Sequence, residues 1–141
     1  MTNPELIPHF DIGRGEHVSK TLTEADVHTY ANLVGDFNPL HVNAEYARRS
    51  RFGRPTAHSM LAAGMISALL DNHLPGPGSV YLSQQMEFLA PIYIGDTITA
   101  RVEVTAWQPE KNLITLRTDC YNQEDRQVIT GQAVLMVLPS S

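Results

Sequence analysis

Eleven consecutive residues, Met60-Leu61-Ala62-Ala63-Gly64-Met65-Ile66-Ser67-Ala68-Leu69-Leu70, carry one polar side chain, Ser67. A helix on the surface of a globular protein keeps a polar face toward water. This segment has none to offer, so it should be enclosed on nearly all sides. It falls well short of the roughly 18 apolar residues that cross a bilayer. The rest of the chain must therefore be built around it. Ala62, Ala63, Gly64 and Ala68 leave room for close approach, and Leu74-Pro75-Gly76-Pro77-Gly78 ends the helix in turn-forming residues.

The surrounding material follows at once. Beyond Gly78 the apolar period changes from helical to two. Val80, Leu82, Met86 and Phe88 fall on one face of a strand, with Tyr81, Ser83, Gln85 and Glu87 on the other. After the Gly95-Asp96 turn, Ile98, Ala100, Val102, Val104 and Ala106 alternate with Thr97, Thr99, Arg101, Glu103 and Thr105. A turn at Gln108–Lys111 leads to strands over residues 112–122 and 127–138, joined by Gln123–Arg126. The last strand is apolar on both faces from Ala133 to Leu138, so it is central or is covered by a second subunit.

Upstream, Pro4, Pro8, Gly13 and Gly15 make residues 1–16 an irregular lead-in, and residues 17–22 form a first strand. Thr23, followed by Glu24 and Asp26, caps a helix running to Val34, and Gly35 closes it. Pro39 keeps Asn38 out of the helical region, which makes Asp36–Val42 a loop. Asn43 caps a short helix, Ala44–Arg49. This order fits an α+β class and a hotdog arrangement: one antiparallel β-sheet wrapped around a buried central α-helix, as a single domain over residues 1–141. Its open edges and apolar last strand predict a homodimer.

Composition narrows the function. The chain has 141 residues and a net charge of -5, which argues against a general nucleic-acid or anionic-membrane surface. One cysteine, Cys120, allows no internal disulfide or cysteine-rich metal site, and a strand position makes it core packing. The N-terminus has no basic patch followed by an apolar run, so a cytoplasmic location is expected. No glycine-rich nucleotide loop follows a strand.

The segment that could carry chemistry is Gly35-Asp36-Phe37-Asn38-Pro39-Leu40-His41, which holds a carboxylate and an imidazole on a loop stiffened by Pro39. Such a pair, converging on one water, can deprotonate it and return a proton elsewhere. Spacing alone favours the plainer reading, with Asp36 in a helix C-terminal turn and His41 an exposed loop residue, because Asp and His five apart are common. Asp36-Phe37-Asn38-Pro39-Leu40-His41 followed by Phe52-Gly53-Arg54-Pro55-Thr56-Ala57-His58-Ser59-Met60-Leu61 resembles the MaoC-like hydratase/dehydratase family. The likeness is to its short single-domain (R)-specific enoyl-CoA hydratases. It continues through Leu74–Leu82 and Ile94-Gly95-Asp96 and covers residues 17–138.

The resemblance implies a hotdog dimer. It implies Asp36 and His41 as the catalytic pair, with Asn38 fixing the loop and helping to hold the water. Ser59 falls where the family usually has Gly, at the start of the buried helix, where a backbone N–H helps bind the thioester carbonyl. An amide there meets the enolate-like oxygen that develops when water adds to C3. If Thr56 were the N-cap, its hydroxyl would take that N–H, so the role requires a later helix start. The resemblance sets Ser67 near the substrate, although a helix hydroxyl can simply bond the carbonyl four residues back. It sets Leu70 and Leu135 where they influence pocket depth.

Arg48, Arg49, Arg51 and Arg54 are either a landing site for coenzyme A phosphates or a carrier protein, or a solvated face. His58 reads as structural, and His9, His17, His28 and His73 as surface groups without metal spacing. The expected activity is reversible syn hydration of trans-2-enoyl-CoA to (3R)-3-hydroxyacyl-CoA, in an acyl pocket lined by the apolar helix and the sheet. It calls for no metal or redox cofactor, because the thioester acidifies C2 and coenzyme A enters with the substrate. Alternatives are dehydration on an acyl carrier protein, a hotdog thioesterase and a non-catalytic acyl-thioester-binding protein.

Overall fold

Alternation in the second half of the chain becomes a ladder. A computed structural model describes residues 8–139. Its strands are β1 (Gly15–Thr21), β2 (Ser79–Phe88), β3 (Thr97–Gln108), β4 (Leu113–Tyr121) and β5 (Gln127–Val137). They form one antiparallel sheet in the order β1-β3-β4-β5-β2. The helices are α1 (Glu24–Val34), α2 (Pro39–Val42), α3 (Ala44–Arg49) and α4 (Ser59–Asn72). Helix α4 packs on β1, β2, β3 and β4. Its Ala62, Ala63, Ile66, Leu69 and Leu70 are buried in one cluster with Ile98, Ala100, Val102, Val104, Ile114, Leu116, Ala133 and Leu135. This α+β arrangement is consistent with a hotdog-like fold.

The local signals act as chemistry demands. Thr23 accepts from the Asp26 amide while Asp26 accepts from the Thr23 amide, a reciprocal cap on α1. Gly35 ends that helix at φ 78°, a conformation natural to glycine. Cys120 is fully buried, and burial pushes its thiol up to about 12. Among the described residues no helix is long and apolar enough to cross a membrane.

Five expectations need correction. Strand β1 begins at Gly15, inside the supposed lead-in; residues 1–7, with the leader reading, lie outside the described residues. Residues 36–42 are not all loop. Pro39 opens the one-turn helix α2, where its missing N–H costs nothing, and the Asn38 side chain caps it. Helix α4 is not enclosed on all sides: the sheet covers one face, leaving Met60, Gly64 and Ala68 exposed and Ser67 half-buried.

The remaining two concern strand phase. In β2 a bulge at Leu82 inserts one residue against β5, which inverts the alternation. Tyr81, Gln84 and Met86 therefore turn inward, and Val80 and Leu82 turn out. A second bulge, at Thr105, brings Trp107 in place of Ala106 onto the core, edge-on to Phe10 at 4.9 Å. Strand β5 lies inside the sheet, between β4 and β2, and its second apolar face, Val134 and Met136, is half-buried.

Candidate active site

Three short devices fix the loop between α1 and α3. The αL turn at Gly35 redirects the chain. The Asp36 carboxylate then accepts from the Asn38 amide at 3.2 Å, and the Asn38 side chain accepts from the Leu40 amide at 3.0 Å. Asn38 is thus a loop-fixing cap. His41 sits on the single turn of α2, with its Nδ1–H donating to the Thr56 carbonyl at 2.7 Å. The Thr56 hydroxyl lies 3.2 Å from the same nitrogen. A carbonyl can only accept, so this bond puts the proton of neutral His41 on Nδ1 and leaves Nε2 as a lone pair.

Thr56 is held in turn. Its amide donates to Leu40 at 3.0 Å, and it bridges to Tyr93. Its hydroxyl is therefore engaged with His41, and the N-cap of α4 is His58, which makes no side-chain capping bond. Ser59 is the first residue of α4, so the later helix start that an oxyanion role requires is the one observed.

His58, read from the sequence as structural, sits at the start of α4 and borders the site. Its side chain is 2% exposed, and its Nε2–H donates to the Asp36 carbonyl at 3.1 Å. Its ring stacks on His41, with centroids 3.9 Å apart and planes at 32°. Burial, joined by repulsion from His41, pulls its pKa below the ordinary histidine value, partly opposed by the Asp36 carbonyl and carboxylate. The sequence carried one signal for it. Ser, Thr, Asp or Asn normally caps a helix, and a histidine kept there without capping has another task.

One carboxylate oxygen of Asp36 and one ring nitrogen each of His41 and His58 lie within 4.8 Å of one another. Two hydrogen bonds of about 2.8 Å meeting at one water span about 4.6 Å, so groups no farther apart than this limit are near enough to share a single water. A cation fits less well. Stacked imidazoles aim their in-plane lone pairs side by side, and Nδ1 of His41 and Nε2 of His58 are committed as donors.

The other expected residues are scattered. Ser67, with Met60, Ala63 and Gly64, lines one wall of a groove of about 410 Å³ whose other wall is Tyr81, Gln84 and Met86. Leu70 and Leu135 are fully buried on the sheet side of α4 and do not line it. Arg49 and Arg51 line a separate hollow of about 760 Å³ with Tyr46 and Phe52. Arg48 and Arg49 both pair with Glu45, at 2.7 and 3.0 Å, and Arg54 lies over the Tyr93 ring at 4.0 Å. Arg48 and Arg49 thus share one carboxylate and Arg49 and Arg51 one hollow, while Arg54 is engaged with Tyr93. His9, His17, His28 and His73 are exposed.

Comparison with known proteins places this geometry. The (R)-specific enoyl-CoA hydratase of Rhodospirillum rubrum is 46% identical over 141 residues, 97% of each chain. That of Aeromonas caviae is 42% identical over 89% of this chain and 93% of its own. The solved (R)-hydratase from A. caviae superposes with a TM-score of 0.88, covering 91% of this chain and 97% of the other at 41% identity. The R-hydratase of Pseudomonas aeruginosa, solved unliganded, gives 0.89 at 34% identity over 93% of this chain and 84% of its own. The model of the MaoC-like domain matches residues 11–124, a span running from just before β1 to just before β5, and the chain belongs to that family.

Proposed function

We infer that this chain is an (R)-specific enoyl-CoA hydratase, a hydro-lyase acting on acyl thioesters. One observation carries the reading: a carboxylate oxygen and an imidazole nitrogen lie within 4.8 Å of each other beside the first turn of an apolar helix, near enough to share one water. Relatives of the same name, alike over nearly their whole length, support it.

In the proposed reaction, water sits between Asp36 and His41, with one hydrogen accepted by the carboxylate and the other by Nε2. Its oxygen lone pair then faces C3 of the enoyl thioester. Asp36 takes a proton as the C–O bond forms, and negative charge moves onto the thioester oxygen. The Ser59 amide, at the positive end of α4, would meet that charge. Because His41 spends Nδ1–H on Thr56, any proton it gives to C2 is the single proton that Asp36 took from the water, and the water's second hydrogen stays on the C3 oxygen as the new hydroxyl. A proton returned to C2 from the water's own side gives syn addition and the (3R) alcohol. The acyl tail would follow the groove past Ser67, and coenzyme A enters with the substrate.

The finer architecture belongs to the same proposal. The sheet wraps α4 as a single hotdog domain, and two copies pair to cover the bare stripe of α4 and the β2 edge. The test is stereochemical. Crotonyl-CoA should give (3R)-3-hydroxybutyryl-CoA, and Asp36→Asn should lower kcat at least about 100-fold with the fold intact. Free thiol appearing at the rate of enone loss would mean a thioesterase. Near-wild-type turnover in Asp36→Asn would remove Asp36 from the mechanism.

A further inference from the structure

His58 is a buried histidine that the water-activating pair does not itself require, and among the described residues its Nδ1 has no hydrogen-bonding partner. A polar nitrogen left unpaired inside a protein is costly, so an apolar ring of the same size would serve a merely structural purpose better. The other nitrogen and the ring face show what is gained. Nε2–H donates to the backbone carbonyl of Asp36, tying the acid's own residue to the start of α4. The ring face lies against His41, with centroids 3.9 Å apart, and supports it from one face while the Thr56 carbonyl holds its Nδ1 edge. Phenylalanine would supply the face without the donor, and glutamine the donor without the face. Only a ring that carries an N–H does both.

Resting on the hydratase reading, we propose that His58 is a positioning residue that sets Asp36 and His41 against each other across the water gap. It acts through both partners and touches neither substrate nor water. Neutrality is part of the role. The groups facing it are the Asp36 carboxylate at 4.0 Å, the His41 ring and the Tyr30 ring of α1 at 4.7 Å. Protonation would add an N–H at buried Nδ1, where no acceptor lies, beside a second imidazole that must itself accept a proton. The lowered pKa, due first to burial, is in line with this. Position carries the argument further. His58 directly precedes Ser59, so one residue links the water-activating pair to the amide proposed to meet the thioester oxygen.

The test uses the full-length protein with crotonyl-CoA, and two variants that each keep half of the role. His58→Gln retains the donor and loses the stack; His58→Phe retains the stack and loses the tether. Both should lower kcat at least about tenfold while KM stays within about twofold, the pattern of lost transition-state geometry. His58→Ala should lose more than either. Long-range proton–nitrogen NMR of the wild type should show His58 as a neutral Nε2–H tautomer at pH 6, where an ordinary histidine is about three-quarters protonated. In His58→Ala, the single Nδ1–H tautomer of His41 should give way to an averaged pattern. The proposal is overturned if both the Gln and Phe variants keep kcat within threefold of wild type. It is also overturned if their losses match a fallen folded fraction, or if His58 is charged or Nδ1–H at pH 6. A wild type without hydration sinks the enzymatic reading first and this role with it. A wild type that hydrates while the variants do so equally well sinks this role alone.

Discussion

Replacing Gly131 by alanine tests the sheet on which the groove is built. Gly131 pairs with Met86 across the β2–β5 ladder. A Cβ there would penetrate the Gln85 carbonyl oxygen and lie 3.0 Å from its carbon and 3.1 Å from Met86 Cα. These are backbone atoms, so no side chain can swing aside. Strand β2 must retreat by on the order of 1 Å to restore an ordinary carbon–oxygen separation of about 3.3 Å. Two or three ladder bonds worth about 1 kcal/mol each are stretched. With looser packing of Met86, the expected loss is about 2–4 kcal/mol. At the usual urea sensitivity of a small protein, the unfolding midpoint falls by about 1–2 M, measured at fixed protein concentration. Gly64→Ala provides the opposite sign. An added methyl there meets nothing within 4 Å, and a helix-interior alanine gains about 0.5–1 kcal/mol over glycine. A Gly131→Ala midpoint within about 0.3 M of wild type, or equal losses in both variants, refutes the argument.

Two further outcomes follow from charged groups. If Arg49 and Arg51 in the hollow beside Tyr46 receive the nucleotide end of coenzyme A, neutralising that pair should raise KM for crotonyl-CoA about tenfold and leave a truncated pantetheine thioester nearly unaffected. Arg48→Gln and Arg54→Gln should matter less, and equal effects on both substrates would return all four to a solvated face. The Lys20 ammonium, with the Thr23 amide, holds the Asp26 carboxyl down to about 2. A depressed folded pKa stabilises above the unfolded value near 3.8, and that contribution is lost as pH falls toward 2. NMR titration should therefore find Asp26 ionised at pH 3 and its pKa raised in Lys20→Ala; an Asp26 midpoint near 4 would remove the ion pair from the α1 cap.

Much of this architecture was legible because local signals and tertiary needs agreed. Thr23, Gly35 and Asn43 act at helix ends for reasons internal to a few residues, and Ile98 to Val104 keep strict alternation because β3 lies flat on α4. The Asp36–His41 juxtaposition was legible from the motif. What hid were features set by partners distant in sequence. The bulge at Leu82 depends on β5, so simple alternation assigned the wrong face to half of β2. The part played by Thr56 is visible only once the chain returns fifteen residues later to meet His41. Leu70 and Leu135 illustrate the same limit, since their burial against the sheet is decided by how α4 is rotated.

The extra residue at Leu82 makes β2 a strand with a parity switch in its middle. On either side of it the same rule, every second residue inward, selects opposite members of the sequence. Straightening the ladder with every residue kept would turn Val80 and Leu82 inward in place of Tyr81 and put branched hydrocarbon where a phenol stands, without altering a single side chain. For a lineage of acyl-processing enzymes, the frame of a strand is then as heritable a determinant of what fits beside the helix as any substitution within it.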